Sequence, residues 1–552
     1  METYLSPITK LFILINSDSI STQPVNDNIT SGENSSIWIA TINQPLSYHS
    51  LNSDIVTDIL VIGGGISGLT TAYCLAKEGR QVVLVDDGFI GSGETGRTTA
   101  HITCALDDLY SELEKIFDKS TAQLAANSHM KAIEWIANTV RINNIDCQFK
   151  RVDGYLFLHP SDKKETLEEE YEATKRAGLI TEMLSTVPGI EAEEGKWCIK
   201  YPDQAQFHIL KYLKGLANAF TQLDGTIYTE TKAENINKNG ATANGFNVIA
   251  NSIVVATNTP VNDWATMHTK QWPYRTYVVG AKIPKGALPY ALWWDTGNRQ
   301  SKWVSQPYHY VRLAEYDDQY DILICGGEDH RTGQADSEAI KEEDRYTKLI
   351  EWTKKRFPSM EEIVFKWSGQ VMEPVDSLAY IGKNPGDENI YIITGDSGNG
   401  MTHGTLGGLI ITDIIMGKEN PWAEIYSPSR ITLKTTSDYL EEVGNMVAQF
   451  GDWFTGGDVK KAEDLKPGEG GIMSKGFKKV AVYCDKDNNI HSCTAVCPHM
   501  GGILQWNADE KTFDCPMHGS RFTTEGKVIN GPATADLKQV VLHEEEHVAH
   551  KS

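Results

Sequence analysis

An α/β chain carrying a small all-β unit at its C-terminal end is the fold class this sequence predicts. Three observations predict it. Apolar strand-like runs alternate with helical periodicity over most of the 552 residues. A glycine-rich turn joins the first such strand to a helix. A break around Gly456–Gly471 is followed by short strands with turn signals between them. At roughly 100–200 residues per domain the length predicts two to four domains.

The elements follow in order. Residues 1–33 are polar, rich in Ser, Asn and Thr, and read as a mobile tail. DILVIGGGISG, LTTAYCLAKEG and QVVLVDD, within 58–87, read as strand, glycine turn, helix, strand. LEEEYEATKRAGL (Leu167–Leu179) has helical spacing. SIVVAT (Ser252–Thr257), YDILICGG (Tyr320–Gly327) and NIYIITG (Asn389–Gly395) read as strands. A helix is expected to start near His403, with GLIITDII as its apolar stretch; a plain N-cap at Thr402 is the alternative to a helix start at Asn399–His403 that points its N–H groups at a cofactor. Residues 437–454 read as one amphipathic helix within a linker, 431–457. KKVAVYCD (Lys478–Asp485) opens the small β-unit, 458–545.

Composition excludes some partners. With 51 Lys+Arg against 74 Asp+Glu the net charge is −23, which repels phosphate backbones and disfavours nucleic acid. No apolar run is long enough for a transmembrane helix, and Leu11–Ile15 is too short for a signal-peptide core, so a cytoplasmic location is expected. Nine cysteines show no disulfide-scaffold spacing, which suits a reducing compartment. No Ser-His-Asp or paired-carboxylate array is visible, so hydrolysis is disfavoured.

Gly63-Gly64-Gly65-Ile66-Ser67-Gly68 satisfies G-x-G-x-x-G between a strand and a helix. Gly63 allows the tight turn, Gly65 lets a pyrophosphate approach the backbone, and Gly68 lets the helix pack on the strand. The helix N-terminus offers N–H groups and partial positive charge to phosphates. Asp86 ends the next strand, where a carboxylate takes the ribose hydroxyls; Asp87 is its competitor for that role. The motif alone leaves FAD and NAD open.

GSGETGRTTAHIT (Gly91–Thr103), SIVVATN (Ser252–Asn258), WSGQVMEPVDSLAYIG (Trp367–Gly382) and GDSGNGMTHGT (Gly395–Thr405) together resemble the glycine oxidase and D-amino acid oxidase superfamily over roughly Ile37 to Arg430. The third segment lacks prolines that the superfamily carries, at Ser377-Leu378-Ala379. The resemblance implies an FAD-binding Rossmann-like domain with an α+β substrate domain, spanning 34–430. Its nucleotide-binding parts are expected at about 56–150, 185–265 and 365–425, and its substrate part at about 151–184 and 266–364. It adds Arg97, Thr98, His101, Gly398, Gly400, Met401 and Thr402 to the expected FAD-binding residues Gly63, Gly65, Ser67, Gly68 and Asp86. Relatives that oxidise sarcosine and dimethylglycine tether FAD through a histidine near this loop. His101 is off that spacing by one residue and reads better as a hydrogen-bonding loop histidine.

Cys497-x-His499 and Cys515-x-x-His518 flank residues 500–514. The pattern C-x-H-x15-C-x-x-H, with GSRF (Gly519–Phe522) and NGPA (Asn530–Ala533) after it, resembles the Rieske domain over about 458–545. That resemblance implies a [2Fe–2S] cluster with two thiolates on one iron and two imidazoles on the other. Zinc is the competing ligand and would prefer zinc-finger spacing. Respiratory Rieske domains carry two further cysteines that join the cluster loops; Gly502 and Met517 stand at those positions. Ser520 keeps a hydroxyl for the cluster, whereas Phe522 replaces a tyrosine. Fewer hydrogen bonds predict a midpoint in the lower Rieske range, roughly −150 to +100 mV. Cys484 and Cys493 read as packing residues.

Flavin takes two electrons and the cluster one at a time, so the combination suits an amine or amino-acid dehydrogenase with an external one-electron acceptor. The alternative is an FAD/Rieske reductase serving a partner such as an oxygenase; a single G-x-G-x-x-G unit disfavours it. A redox sensor is a third reading. The candidate catalytic residues are Arg275 and Arg312, as clamps for a substrate carboxylate, and His309. Trp293 and Trp294 read as core.

Overall fold

The computed structural model describes residues 32–191, 196–262, 267–298, 308–334, 342–432, 453, 457–476 and 478–542. The tail up to residue 31 and nearly all of the 437–454 helix expectation lie outside these residues.

The apolar run Ile55–Ile62 forms the central strand of an eight-stranded sheet. It pairs in parallel with Phe246–Val255 on one side and Val82–Val85 on the other, and the parallel order continues to Ile390–Thr394 and Thr226–Tyr228. Parallel strands of this kind need both faces covered, which explains the unbroken apolar runs Ile59–Ile62, Val82–Val85 and Ile253–Val255. The helices Ile66–Lys77 and Gly400–Ile415 pack against each other on one face. Gly400–Ile415 is apolar almost all round and is buried along most of its length.

A second, nine-stranded sheet is mostly antiparallel, in the order Ile363–Pro374, Gln271–Pro284, Tyr320–Arg331, His309–Glu315, Ala291–Asp295, Lys150–Phe157, Lys196–Gln206, His101–Ile102. The helix Lys164–Arg176 matches the expected helical stretch. The border between the two parts differs from expectation. Lys196–Gln206 and most of Ile363–Pro374, expected in the nucleotide part, pair in this second sheet. Hydrophobicity alone could not assign them, because a buried strand reads the same in either sheet. Trp293 is fully buried in the core of this sheet, whereas Trp294 reaches the main cavity.

The C-terminal unit is all β. Gly470–Lys475, Lys478–Cys484 and Ile490–Thr494 form one antiparallel sheet, and Gln505–Asn507, Thr512–Asp514, Arg521–Phe522 and Val528–Asn530 form another. Cys493, Leu504, Phe513 and Phe522 fill its core, and Cys484 is buried too.

This unit is seated on the two sheets. Glu510 is buried against Arg97, with Oε1 3.5 Å from the guanidinium, and accepts from the Ser368 N–H at 3.1 Å. Arg521 and Asp514 pair at 3.0 Å beside it, and Arg275 completes a buried cluster of charges. The first described residues close the same seam: Asn34 bonds Asp509 and Glu510, more than 470 positions away in the chain. No described helix is long and apolar enough to cross a membrane.

Candidate functional site

The glycine loop forms as its spacing demands. Gly63 sits at φ +108°, and a Cβ there would lie 2.4 Å from the Ala256 carbonyl oxygen. A Cβ on Gly68 would lie 1.9 Å from the Gly63 carbonyl oxygen, so only glycine lets the helix start this close to the strand. Gly65 is the N-cap and supplies no side chain, so the first N–H groups of Ile66–Lys77 face the loop. Asp86 accepts the Gly64 N–H at 2.5 Å and the Gly88 N–H at 2.8 Å. Burial, then the neighbouring Asp87, raises its carboxyl above the usual range. Hydroxyl donors from a ribose would offset that burial.

This loop opens into a cavity of about 280 Å³. Of the expected FAD-binding residues, Gly63, Gly65, Ser67, Asp86, Arg97, Thr98, His101, Gly398, Gly400 and Met401 line it. Gly68 and Thr402 do not; they pack behind it. The second helix begins earlier than expected, at Gly400, with Asn399 rather than Thr402 as N-cap. Asn399 makes no cap bond. Its amide instead donates to the Ala105 carbonyl at 3.0 Å, and Thr402 donates back to the Asn399 carbonyl at 3.1 Å. An uncapped helix start therefore points its N–H groups and positive end at the cavity, which suits a cofactor that gains negative charge on reduction.

Arg97 requires a correction. It borders the cavity, yet its guanidinium turns to Glu510, the Gly32 carbonyl at 2.8 Å and the Ser368 carbonyl at 3.3 Å. It seats the C-terminal unit instead of holding a phosphate. His101 lines the cavity with both ring nitrogens engaged, by Thr99 Oγ1 at 3.0 Å and the Val311 carbonyl at 3.2 Å. Burial, and then Arg312, lower it to about 3, so it is neutral. A neutral ring held at both nitrogens fits the hydrogen-bonding reading.

None of the three catalytic candidates reaches the cavity. Arg275 donates to Ser368 Oγ at 2.8 Å and faces Asp514, Glu94 and Glu510 in the seam. Arg312 donates to the carbonyls of Ala100 at 2.6 Å, Phe207 and Leu313, and burial lowers it to about 9. It is a structural cross-brace. His309 lies between Asp295, 3.0 Å from Nδ1, and Glu328, 3.1 Å from Nε2, stacked on Trp352. Burial opposes its charge, but Asp295 and Glu328 prevail and hold it up at about 9.

The side chains that do face the cavity are their strand neighbours. Thr276 and Tyr310 line it, with hydroxyls 2.6 Å apart. Tyr308 lines it too and donates to Asp107 Oδ2 at 2.6 Å. Asp107 is open to the cavity but deep in the protein. Burial, with Asp108, Asp329 and Asp396 around it, pushes its carboxyl up to about 7. Asp329, behind Thr276, is pushed up to about 7 in the same way. Among the described lining residues the Arg and Lys side chains are Arg97 and Lys232, and Lys232 donates to the Thr534 carbonyl. This wall is thus acidic and phenolic. Period-2 alternation carried a signal for it: residues 308 and 310 share a face that 309 cannot share.

In the C-terminal unit two tight turns present the cysteine–histidine clusters. The N–H of Gly501 donates to the Cys497 carbonyl, and the N–H of Gly519 donates to the Cys515 carbonyl, both at 3.0 Å. The two thiols are hydrogen-bonded to each other, and the rings of His499 and His518 are 5.0 Å apart. The Cys515 contact, with backbone N–H groups of the loop, lowers the Cys497 thiol. Both ring nitrogens of His518 are buried with no hydrogen-bond partner. Buried imidazole nitrogens without partners, on the same loop pair as two bonded thiols, fit a cluster that supplies the missing bonds. Among the described residues no three His, Cys, Asp or Glu side chains converge on one point; a two-iron cluster asks for only a pair at each iron. A Cβ on Gly502 would touch Met517 Sδ at 2.6 Å, so the positions that respiratory types join by a disulfide do face each other here. Ser520 accepts the Ala533 N–H at 2.9 Å and bonds Cys497. Phe522 is buried with no hydroxyl to add.

The two sites adjoin. His268, between the sheets and the C-terminal unit, places its ring 4.9 Å from that of His499 and 5.5 Å from that of His518. Val528, Asn530, Gly531 and Thr534 of the C-terminal unit line the same cavity as the glycine loop.

Comparisons with known proteins agree with this layout. The family model for FAD dependent oxidoreductases matches residues 58–414, and that for the Rieske [2Fe-2S] domain matches 456–541. The chain is similar to YhfW of Bacillus subtilis (strain 168), whose name describes a Rieske 2Fe-2S iron-sulfur protein: 30% identity over 515 residues, 92% of this chain and 97% of that one. It is also similar to gamma-glutamylputrescine oxidoreductase of Escherichia coli (strain K12), 26% identical over 398 residues, covering 69% of this chain and 89% of that one. The crystal structure of L-proline dehydrogenase from P. horikoshii shares the fold, with TM-score 0.53 and 20% identity over 69% of this chain and 98% of that one. The chain belongs to the FAD dependent oxidoreductase family, of the glycine oxidase-like fold, and ends in a Rieske domain. It is an oxidoreductase that binds FAD in the first and a [2Fe–2S] cluster in the second.

Proposed function

We propose that this chain oxidises an amine or amino acid at its FAD and passes the electrons through its own Rieske cluster to an external one-electron acceptor. The observation that carries this reading is the shared wall: the cluster-side histidines stand against His268, and the same domain lines the dinucleotide cavity. When bound, FAD accepts two electrons from a carbon beside nitrogen and the cluster relays them singly.

The chain's own residues supply the rest. The glycine loop and the start of Ile66–Lys77 hold the pyrophosphate, and Asp86 holds the ribose. The uncapped start of Gly400–Ile415 stabilises negative charge in the cavity. Cys497, His499, Cys515 and His518 ligate the cluster. Amine oxidation needs the neutral amine, so an arriving ammonium must give up a proton. Asp107 Oδ2, held by the Tyr308 hydroxyl, is the acceptor, and its raised pKa suits that exchange near neutral pH. Thr276 and Tyr310 orient the substrate, and Trp294 helps keep water from it. The acidic wall favours a cationic amine. The domain limits 34–430 and 458–545 belong to this reading, as does a cytoplasmic location for a chain whose nine cysteines are all buried and outside any disulfide.

Anaerobic stopped-flow absorbance, with primary, secondary and N-methyl amines and D- and L-amino acids against NADH and NADPH, tests it. Flavin bleaching by an amine or amino acid followed by a reduced-Rieske paramagnetic signal is the expected result. Reduction by NADH or NADPH alone would move the protein to the reductase class.

A further inference from the structure

We propose that the Rieske domain is itself part of the FAD-binding site. The segment 528–534 forms the outer wall over the dinucleotide, so FAD leaves only when the two domains separate. Val528, Asn530, Gly531 and Thr534 line the cavity opposite the glycine loop. They are tied to it on both sides. Asn530 Nδ2 donates to Glu94 Oε1 at 3.0 Å, and Lys232 Nζ donates to the Thr534 carbonyl at 2.6 Å. Gly531 packs closely on Val261: a Cβ there would lie 3.0 Å from Val261 Cγ1.

The place of these contacts identifies what lies beneath them. Thr231, the neighbour of Lys232, donates its N–H to the carbonyl of Asp86, and Lys232 acts electrostatically on Asp87. That is the carboxylate end of the Rossmann unit, where the adenosine ribose belongs. Glu94 and Arg97 belong to the turn Glu94–Arg97, which lines the cavity further along. The Rieske segment thus spans from the adenosine side towards the second cofactor loop.

The seam beneath it resists opening. Arg97 and Glu510 are both essentially inaccessible to solvent, with side-chain exposures of 0% and 1%. Glu510 also accepts from Ser368 Oγ at 2.5 Å, and Ser368 precedes the lining residue Gly369. With both partners desolvated in the docked state, removing one leaves the other a buried, unpaired charge that only undocking relieves. FAD release is therefore coupled to undocking, and docking to FAD.

The test follows FAD release from the full-length protein by the rise in free-flavin fluorescence on dilution. The Rieske absorbance spectrum reports that the cluster domain is intact. Glu510→Gln is expected to release FAD at least about tenfold faster, and Asn530→Ala roughly threefold faster, with the cluster spectrum retained. If Glu510→Gln also loses its cluster, hydrogen exchange of the wild-type chain decides. FAD added to flavin-stripped protein is expected to slow exchange across 528–534. Unchanged release in both variants with the cluster intact, or exchange at 528–534 indifferent to FAD, would overturn the proposal. Neither readout depends on which substrate the enzyme takes.

Discussion

The two cofactor sites of this chain are built in opposite ways. The cluster site is local: four proposed ligands on two loops, each closed by its own turn, within residues 497–518. The flavin site is assembled from distant pieces: the glycine loop, the 91–103 loop, four further strands of the second sheet, the start of Gly400–Ile415 and the Rieske segment 528–534. The difference teaches where each is vulnerable. A local site fails when a ligand is lost. A dispersed site fails when any of its supports shifts, including supports far from the chemistry.

The sharpest way to break the comparison is to destroy one site and inspect the other. Cys497→Ala is expected to abolish the Rieske paramagnetic signal completely while FAD still binds. Gly68→Val is expected to weaken FAD binding more than about 100-fold, because its side chain would press on the Gly63 carbonyl, and to leave the cluster signal in place. Loss of the cluster signal in Gly68→Val would show that the cluster site is not local; loss of FAD in Cys497→Ala would show that the cluster itself holds the 528–534 wall in place.

Next in size is the dispersed wall itself. Asp107→Asn is expected to lower kcat on an amine substrate about 10²-fold. The rising limb of the wild-type pH–rate profile near pH 7 should vanish with it, since that limb reports loss of the Asp107 proton. A variant with an unaltered profile would remove Asp107 from the reaction.

His309 separates support from chemistry. His309→Ala is expected to cost about 3–5 kcal/mol of stability, because it leaves Asp295 and Glu328 buried without their cation. The folded value, about 9, lies above the ordinary 6.5. The stabilisation from this group is thus complete below about pH 6.5 and is lost as pH rises through about 9. Denaturant melts at pH 6 and pH 9.5 check the sign. Smallest is Phe522→Tyr, expected to raise the cluster midpoint by restoring a hydroxyl near the sulfurs. Protein-film voltammetry reads it.

The glycine loop and the paired turns that carry the proposed cluster ligands were legible in the sequence because short spacings encode them and backbone geometry enforces those spacings. The proposed catalytic wall was not. Arg275, His309 and Arg312 are chemically apt residue types, but strand alternation and buried carbonyls turn them away from the cavity. Asp107 and Tyr308, from loops 200 positions apart, meet only through the fold. Arg97 shows the same limit: it sits in the expected loop, and only the docked second domain reveals its partner, Glu510.

The bonds from Asn34 to Asp509 and Glu510 carry one more consequence. They join the first described residues to the last domain across 475 and 476 positions. Contacts of such separation form only after residue 510 has been made, and their loop-closure entropy falls on a late step. During synthesis the flavin domain is complete while this seam is still open. The natural order of assembly is therefore fold, load the flavin, then close. Refolding of the finished chain, in which both ends are present from the start, is expected to slow when FAD is withheld until after dilution from denaturant.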